Sequence, residues 1–141
     1  MPFHQSGPIR YFTFASLDDA GIQHAIFTRR GGVSPAPWDS LNMGGTVGDD
    51  PIRVAQNRQL AFQTIGRNPD TIFDVWQVHS ADVVSADAPR KTHIPHQKAD
   101  GILTQNPDVT LLMRFADCVP LLFYDPYRHV TAIAHAGWHG A

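Results

Sequence analysis

At 141 residues the chain has the length of one domain, and 43% hydrophobic against 17% charged residues gives it enough apolar side chain to bury a core. A net charge of −2, with no basic run interleaved with aromatics, leaves no electrostatic case for nucleic acid or an anionic membrane as partner. No segment approaches the ~18 consecutive apolar residues of a membrane span, and the opening MPFHQSGPIR lacks the apolar core of a secretory signal, so a cytoplasmic protein is expected.

In chain order, YFTFAS (11–16) and IQHAIFTR (22–29) have the composition of two strands split by the polar turn LDDAG. Residues 30–50 hold five glycines and two prolines without apolar periodicity, which predicts a long loop of the kind that carries function. A helix is predicted next, capped by Asp50, with Pro51 in its first turn and Gly66 ending it. Its apolar stripe is Val54, Ala61, Phe62 and Ile65, interrupted by Arg58. TIFDVWQVHSADVVS (71–85) predicts one or two strands, and a linker rich in proline and charge follows at 87–100. The last third predicts strands at 101–104, 109–118, 119–125 and 129–136, with a hairpin turn at DPYRH. Near-continuous apolar runs there suggest strands covered on both faces. Together these elements predict a layered α/β or α+β domain. The ending AIAHAGWHGA reads as a strand entering a Gly-rich turn, so the chain is expected to be a fragment lacking C-terminal elements.

The single cysteine, Cys118, excludes an intrachain disulfide. It sits at a predicted strand end, as do His79 and His135. Three such ligands with a fourth position open match a catalytic rather than a structural zinc site, and no CxxC pair is present. The same residues also suit a thiolate nucleophile activated by a histidine, and the sequence leaves both readings open. His135 with His139, and His93 with His96, are competing pairs disfavoured by the intervening glycine and proline. Arg29 beside Gly31 and Gly32 offers a guanidinium fork and turned amides for an anion. Asp50 is read as a helix cap, and Asp117 as a strand residue facing away from Cys118.

Eight motifs occur in order: TRRGGVS, SLNMG, VGDDP, NR, WQVH, ADGILT, ADCVPLL and HAGWHG. As an ordered set, running from about Arg29 to the last residue, they resemble the YfiH-like laccase-domain family, also described as purine nucleoside phosphorylase, peptidoglycan editing factor or polyphenol oxidase. The resemblance implies a layered α/β sandwich with mixed β-sheet, spanning 1–141 as a single but incomplete domain. It implies zinc, ahead of copper, on His79, Cys118 and His135. It further implies catalytic roles for Arg29, His79 and Cys118, and anion or substrate binding by Arg29, Gly31, Gly32 and Asn42. The activity implied is phosphorolysis of purine nucleosides, with adenosine deamination beside it, and with purine nucleoside and phosphate as partners. Editing of peptidoglycan precursors as a cysteine-type hydrolase, laccase-like copper chemistry and a non-catalytic binding fragment are the alternatives. Three departures stand out: His139 replaces the usual arginine of HAGWRG, Phe115 replaces a threonine, and the chain is short for the family. No His-x-His pair is present, which argues against multicopper oxidase chemistry.

Overall fold

The computed structural model describes residues 3–138. It is a mixed α/β structure with few helices and several sheets, and it divides into two compact units at Pro69–Asp70.

In the first unit, β1 (Phe3–Ser6), β2 (Ile9–Phe12) and β3 (Ile26–Phe27) form an antiparallel sheet in that order. The strand predicted at 11–16 ends early. The Thr13 hydroxyl donates to Asp18, and the Phe14 carbonyl accepts from the N–H groups of Leu17 and Asp18. Those bonds close the short helix α1 (Ala15–Asp19), where a turn is expected from the sequence. Of the strand predicted at 22–29, only Ile26–Phe27 pairs.

Helix α2 (Pro51–Thr64) follows its end signals closely. The Asp50 carboxylate caps the Ile52 N–H at 2.9 Å, Pro51 fills the first turn where no donor is needed, and Gly66 takes the left-handed exit at φ 65. Val54, Asn57, Ala61 and Phe62 are its buried side chains. Arg58, which breaks the apolar stripe, donates to the Met43 carbonyl. Asn57 is the surprise, fully buried at 0% exposure on a face expected to be apolar. Its side chain accepts from Val33 N and donates to Ser34 Oγ and the Asn42 carbonyl, each at 2.8 Å. The helix thereby organises residues 30–50, which contain no strand or helix, as predicted. A buried amide with all its bonds made costs far less than one left unpaired.

The second unit holds a parallel pair, β4 (Ile72–Asp74) with β7 (Thr110–Leu112), and a four-stranded sheet ordered β5 (Val83–Ser85), β6 (Gly101–Thr104), β9 (Val130–Ala136), β8 (Val119–Asp125). β5 and β6 run parallel, and the other neighbours are antiparallel. Val75, Ala86, Ala99, Ile102, Val109 and Met113 form the core, with Phe73, Val84, Leu111, Phe115 and Ile133 packed on it. The β8–β9 hairpin closes as predicted, with Asp125 accepting from the N–H groups of Tyr127 and Arg128.

Two expectations are corrected here. The strand predicted over 109–118 pairs only at Thr110–Leu112. Residues 76–79 form no named strand, so His79 closes no strand. Along β8, Val119, Leu121 and Phe123 are exposed in this chain and alternate with the half-buried Pro120 and Leu122. Alternation along an edge strand, rather than the apolar content of the run, decides which side chains reach the core.

The linker at 87–100 is irregular but anchored. Asp74 is almost wholly buried and receives Arg90 Nε at 2.7 Å, His96 Nε2 at 3.0 Å and Arg114 Nη1 at 3.2 Å. His96 is therefore a hydrogen-bond partner of Asp74 that ties the linker to β4.

Candidate metal centre

The second unit brings together His79, Cys118 and His135. One ligand atom from each, two imidazole nitrogens and the Cys118 Sγ, lies within 4.8 Å of the others. Among the described residues this is the one group of three or more His, Cys, Asp or Glu side chains so arranged. The residues reach it from three different local structures.

His135 is the penultimate residue of β9, fixed by register opposite Pro120. Its ring is 6% exposed, and its Nδ1 lies 2.8 Å from Asp100 Oδ1, on a carboxylate that is 1% exposed. Cys118 directly precedes β8 and is half-buried, entered through Asp117 at φ 77. Asp117 therefore lies in a left-handed turn rather than in a strand, and the turn aims Cys118 back toward β9. His79 itself adopts φ 61 in the loop after β4. A left-handed conformation at a non-glycine residue costs of order 1–3 kcal/mol and concentrates at functional sites. Here the two loops that deliver ligands each carry one.

The His79 loop is pinned from behind. Asp100 Oδ2 accepts from Val78 N at 3.1 Å, Ser80 N at 2.7 Å and Ser80 Oγ at 3.1 Å. Burial works against ionisation of Asp100, but the Ser80 N–H, the His135 ring and the N–H groups of Val78 and His79 outweigh it and hold the carboxyl at about 2. Gly137 clears space for the exposed His79 ring, since a Cβ there would lie 2.7 Å from His79 Cδ2. The His79 and His135 rings meet edge to face at 4.8 Å, and the Phe115 ring stands 5.7 Å from His135. Asp100 and Gly137 escaped the sequence reading. The only signal for them was their presence in ADGILT and HAGWHG.

This donor set fits a zinc ion. Zinc takes thiolate sulfur and imidazole nitrogen at ~2.0–2.3 Å, which sets tetrahedral donors ~3.5 Å apart, so closure from 4.8 Å needs small side-chain rotations. An ionised carboxylate can only accept, so Nδ1 of neutral His135 must carry the proton, which leaves the Nε2 lone pair for a ligand. With three protein donors, a bound zinc would keep a fourth position open.

The residues expected to bind an anion lie in the first unit. Arg29 has a 70% exposed side chain and pairs with Asp39, at 3.1 Å between Nη2 and Oδ1 and 2.7 Å between Nε and the carbonyl. The Gly31 and Gly32 N–H groups both donate to Ser40 Oγ, at 3.0 and 3.1 Å, so they are engaged internally rather than aimed at an anion. A Cβ at either glycine would meet backbone of residues 8–9 or 40–41 at 2.2–2.7 Å, so close chain approach demands glycine there. Asn42 donates to Asp49 Oδ2 and the Gly44 carbonyl, and accepts from Gly44 N, which holds the loop in shape. His93 is exposed, and His139 lies outside the described residues.

Residues 23–141 match the family described as multi-copper polyphenol oxidoreductase laccase. The chain belongs to that family. Among laccase-family relatives, a purine nucleoside phosphorylase of Streptomyces coelicolor is 45% identical over 124 residues, covering 87% of this chain and 51% of the relative. Another from Streptomyces griseus is 40% identical over 121 residues, covering 85% and 49%. Of solved structures, YlmD from Geobacillus stearothermophilus superposes with a TM-score of 0.86 at 31% identity, covering 98% of this chain and 53% of that one. Bacillus licheniformis YfiH gives 0.85 at 29% identity, covering 99% and 53%. This laccase-family chain thus spans about half the length of the relatives it matches. Among the described residues, none of its helices is long and apolar enough to cross a membrane.

Proposed function

We propose that this chain supplies the metal-binding part of a zinc-dependent purine nucleoside phosphorylase, with adenosine deamination as a second activity. The observation that carries the reading is the convergence of His79, Cys118 and His135 within 4.8 Å, supported by relatives that bear the name purine nucleoside phosphorylase. Residues 1–141 would form part of a single laccase-type domain. A cytoplasmic location suits a site that needs Cys118 as a free thiol.

His79, Cys118 and His135 would hold the zinc, and a bound zinc supplies Lewis acidity that brings a water to a pKa of ~7. The protein's own groups do the rest. Asp100 would keep the His135 proton on Nδ1, and the Phe115 ring stands beside that imidazole as an apolar wall. Arg29 is assigned to phosphate. Its pairing with Asp39 is largely solvent-exposed, and an exposed pair is worth only ~0–1 kcal/mol, so a phosphate dianion with bidentate geometry displaces it readily. Gly31, Gly32 and Asn42 would contribute by shaping the Arg29 loop. In phosphorolysis the glycosidic C–N bond breaks, a phosphate oxygen bonds the anomeric carbon and the purine leaves with a proton. In deamination water adds at the amino-bearing ring carbon and ammonia leaves.

One observation favours a second reading. Cys118, His135 and Asp100 stand in the order nucleophile, base and orienting carboxylate, as a metal-free cysteine hydrolase requires. Elemental mass spectrometry on tag-free chain, followed by phosphate-dependent release of base from inosine and adenosine, separates the two. The proposal expects about one zinc per chain, lost in Cys118→Ala, and turnover abolished by chelation. A folded chain without metal, inactivated by a thiol alkylator and indifferent to chelators, would overturn it in favour of the hydrolase.

A further inference from the structure

We infer that Asp100 is the positioning residue that assembles this centre, setting the tautomer of His135 with one carboxylate oxygen and the course of the His79 loop with the other. The inference rests on the metal reading above. Its basis is that two ligands from separate segments share one buried anchor. Oδ1 faces His135 Nδ1 at 2.8 Å, while Oδ2 receives three donors from Val78 and Ser80, the residues on either side of His79. The backbone of Asp100 adds a further link, because its carbonyl accepts the His135 N–H at 2.8 Å. His135 is therefore held at both its main chain and its ring by a single residue of the β6 approach.

Two oxygens with different partners make a demand that only a carboxylate meets. In Asp100→Asn one of the two atoms becomes an NH2 donor. Turned toward His135, it forces Nδ1 to accept and moves the ring proton to Nε2, removing the lone pair that a metal needs. Turned the other way, it opposes three donors around Ser80 and frees the His79 loop. Either outcome separates ligands that the wild-type geometry brings together. A purely structural role predicts something different, a loss of stability with metal affinity unchanged.

The test uses the 141-residue chain and zinc alone, by competition against a chromophoric chelator. Asp100→Asn is expected to weaken zinc binding by about 10–100-fold, the range for lost carboxylate partners of metal-bound histidines. Thr104→Val serves as the control. It removes the buried bond from the Thr104 hydroxyl, at the end of β6, to the Ala86 carbonyl just after β5, and should lower stability while leaving zinc affinity unchanged. The nitrogen-15 shifts of neutral His135 in the metal-free wild-type chain supply a readout that needs no variant to fold, and a proton on Nδ1 is expected. Wild-type affinity in Asp100→Asn, or a proton resting on Nε2 of wild-type His135, would overturn the inference. Zinc retained at full affinity by Cys118→Ser would instead overturn the metal assignment itself, whatever Asp100 does.

Discussion

Single residues set this centre by the space they leave as much as by the atoms they provide. Gly137 contributes no donor, yet a Cβ there would meet His79 Cδ2 at 2.7 Å. Its backbone lies outside the left-handed region, so alanine is conformationally acceptable and the effect of Gly137→Ala is a push on one ring. We expect zinc affinity to fall about tenfold in the chelator competition, comparable to a lost outer partner, with the melting temperature nearly unchanged. Asp117 works through its backbone, reversing the chain at φ 77 so that Cys118 reaches the histidines. Asn57 plays the same part for the loop at 30–50. Asn57→Ala strips partners from Val33 N, Ser34 Oγ and the Asn42 carbonyl, and about 2–3 kcal/mol of stability should be lost in urea melts.

Between elements, the clearest electrostatic device is Asp74 at the end of β4. Burial resists its ionisation, but Arg90, His96 and Arg114 outweigh burial and hold its carboxyl below the ordinary value of 3.8. A carboxyl depressed in the folded state contributes stability that is fully present above its unfolded value and lost as pH falls through the folded one. Stability of the second unit should therefore decline below about pH 4. Asp74→Asn should cost about 3 kcal/mol near neutrality, because two arginines lose their buried partner, and the gap from wild type should narrow in acid. Chemical melts at pH 6 and about pH 3 measure both slopes. The cluster fastens the linker to β4 and, through Arg114, the segment after β7, so its loss should be felt along 88–98 before the β8–β9 hairpin.

Across the whole chain, all three metal ligands fall in the second unit and Arg29 in the first. Binding energy is gained only where the ligands are, so zinc should stabilise one unit selectively. Hydrogen exchange read by mass spectrometry should show protection at 77–80, 99–101 and 116–119 on adding zinc. The gain should approach about 2.7 kcal/mol at a free concentration one hundredfold above Kd, with 30–58 unchanged. Protection confined to 30–58 would place the ion elsewhere.

What the sequence determined alone was local or ordered along the chain. The Asp50 cap with Pro51 and Gly66, the DPYRH hairpin turn and the strands predicted at 101–104, 119–125 and 129–136 depend on neighbours a few residues apart, and such signals survive without knowledge of the fold. The ordered motifs carried the family and drew attention to His79, Cys118 and His135. Only the tertiary structure decided how those residues are held. The side-chain bonds of Asp100 cross 20 to 35 positions of sequence, and those of Asn57 cross 15 to 24. It also decided which apolar strand face meets the core, and that the Gly31 and Gly32 amides serve Ser40. A polar side chain's role depends on which donors the fold brings to it, and that pairing exists only after distant segments have come into register.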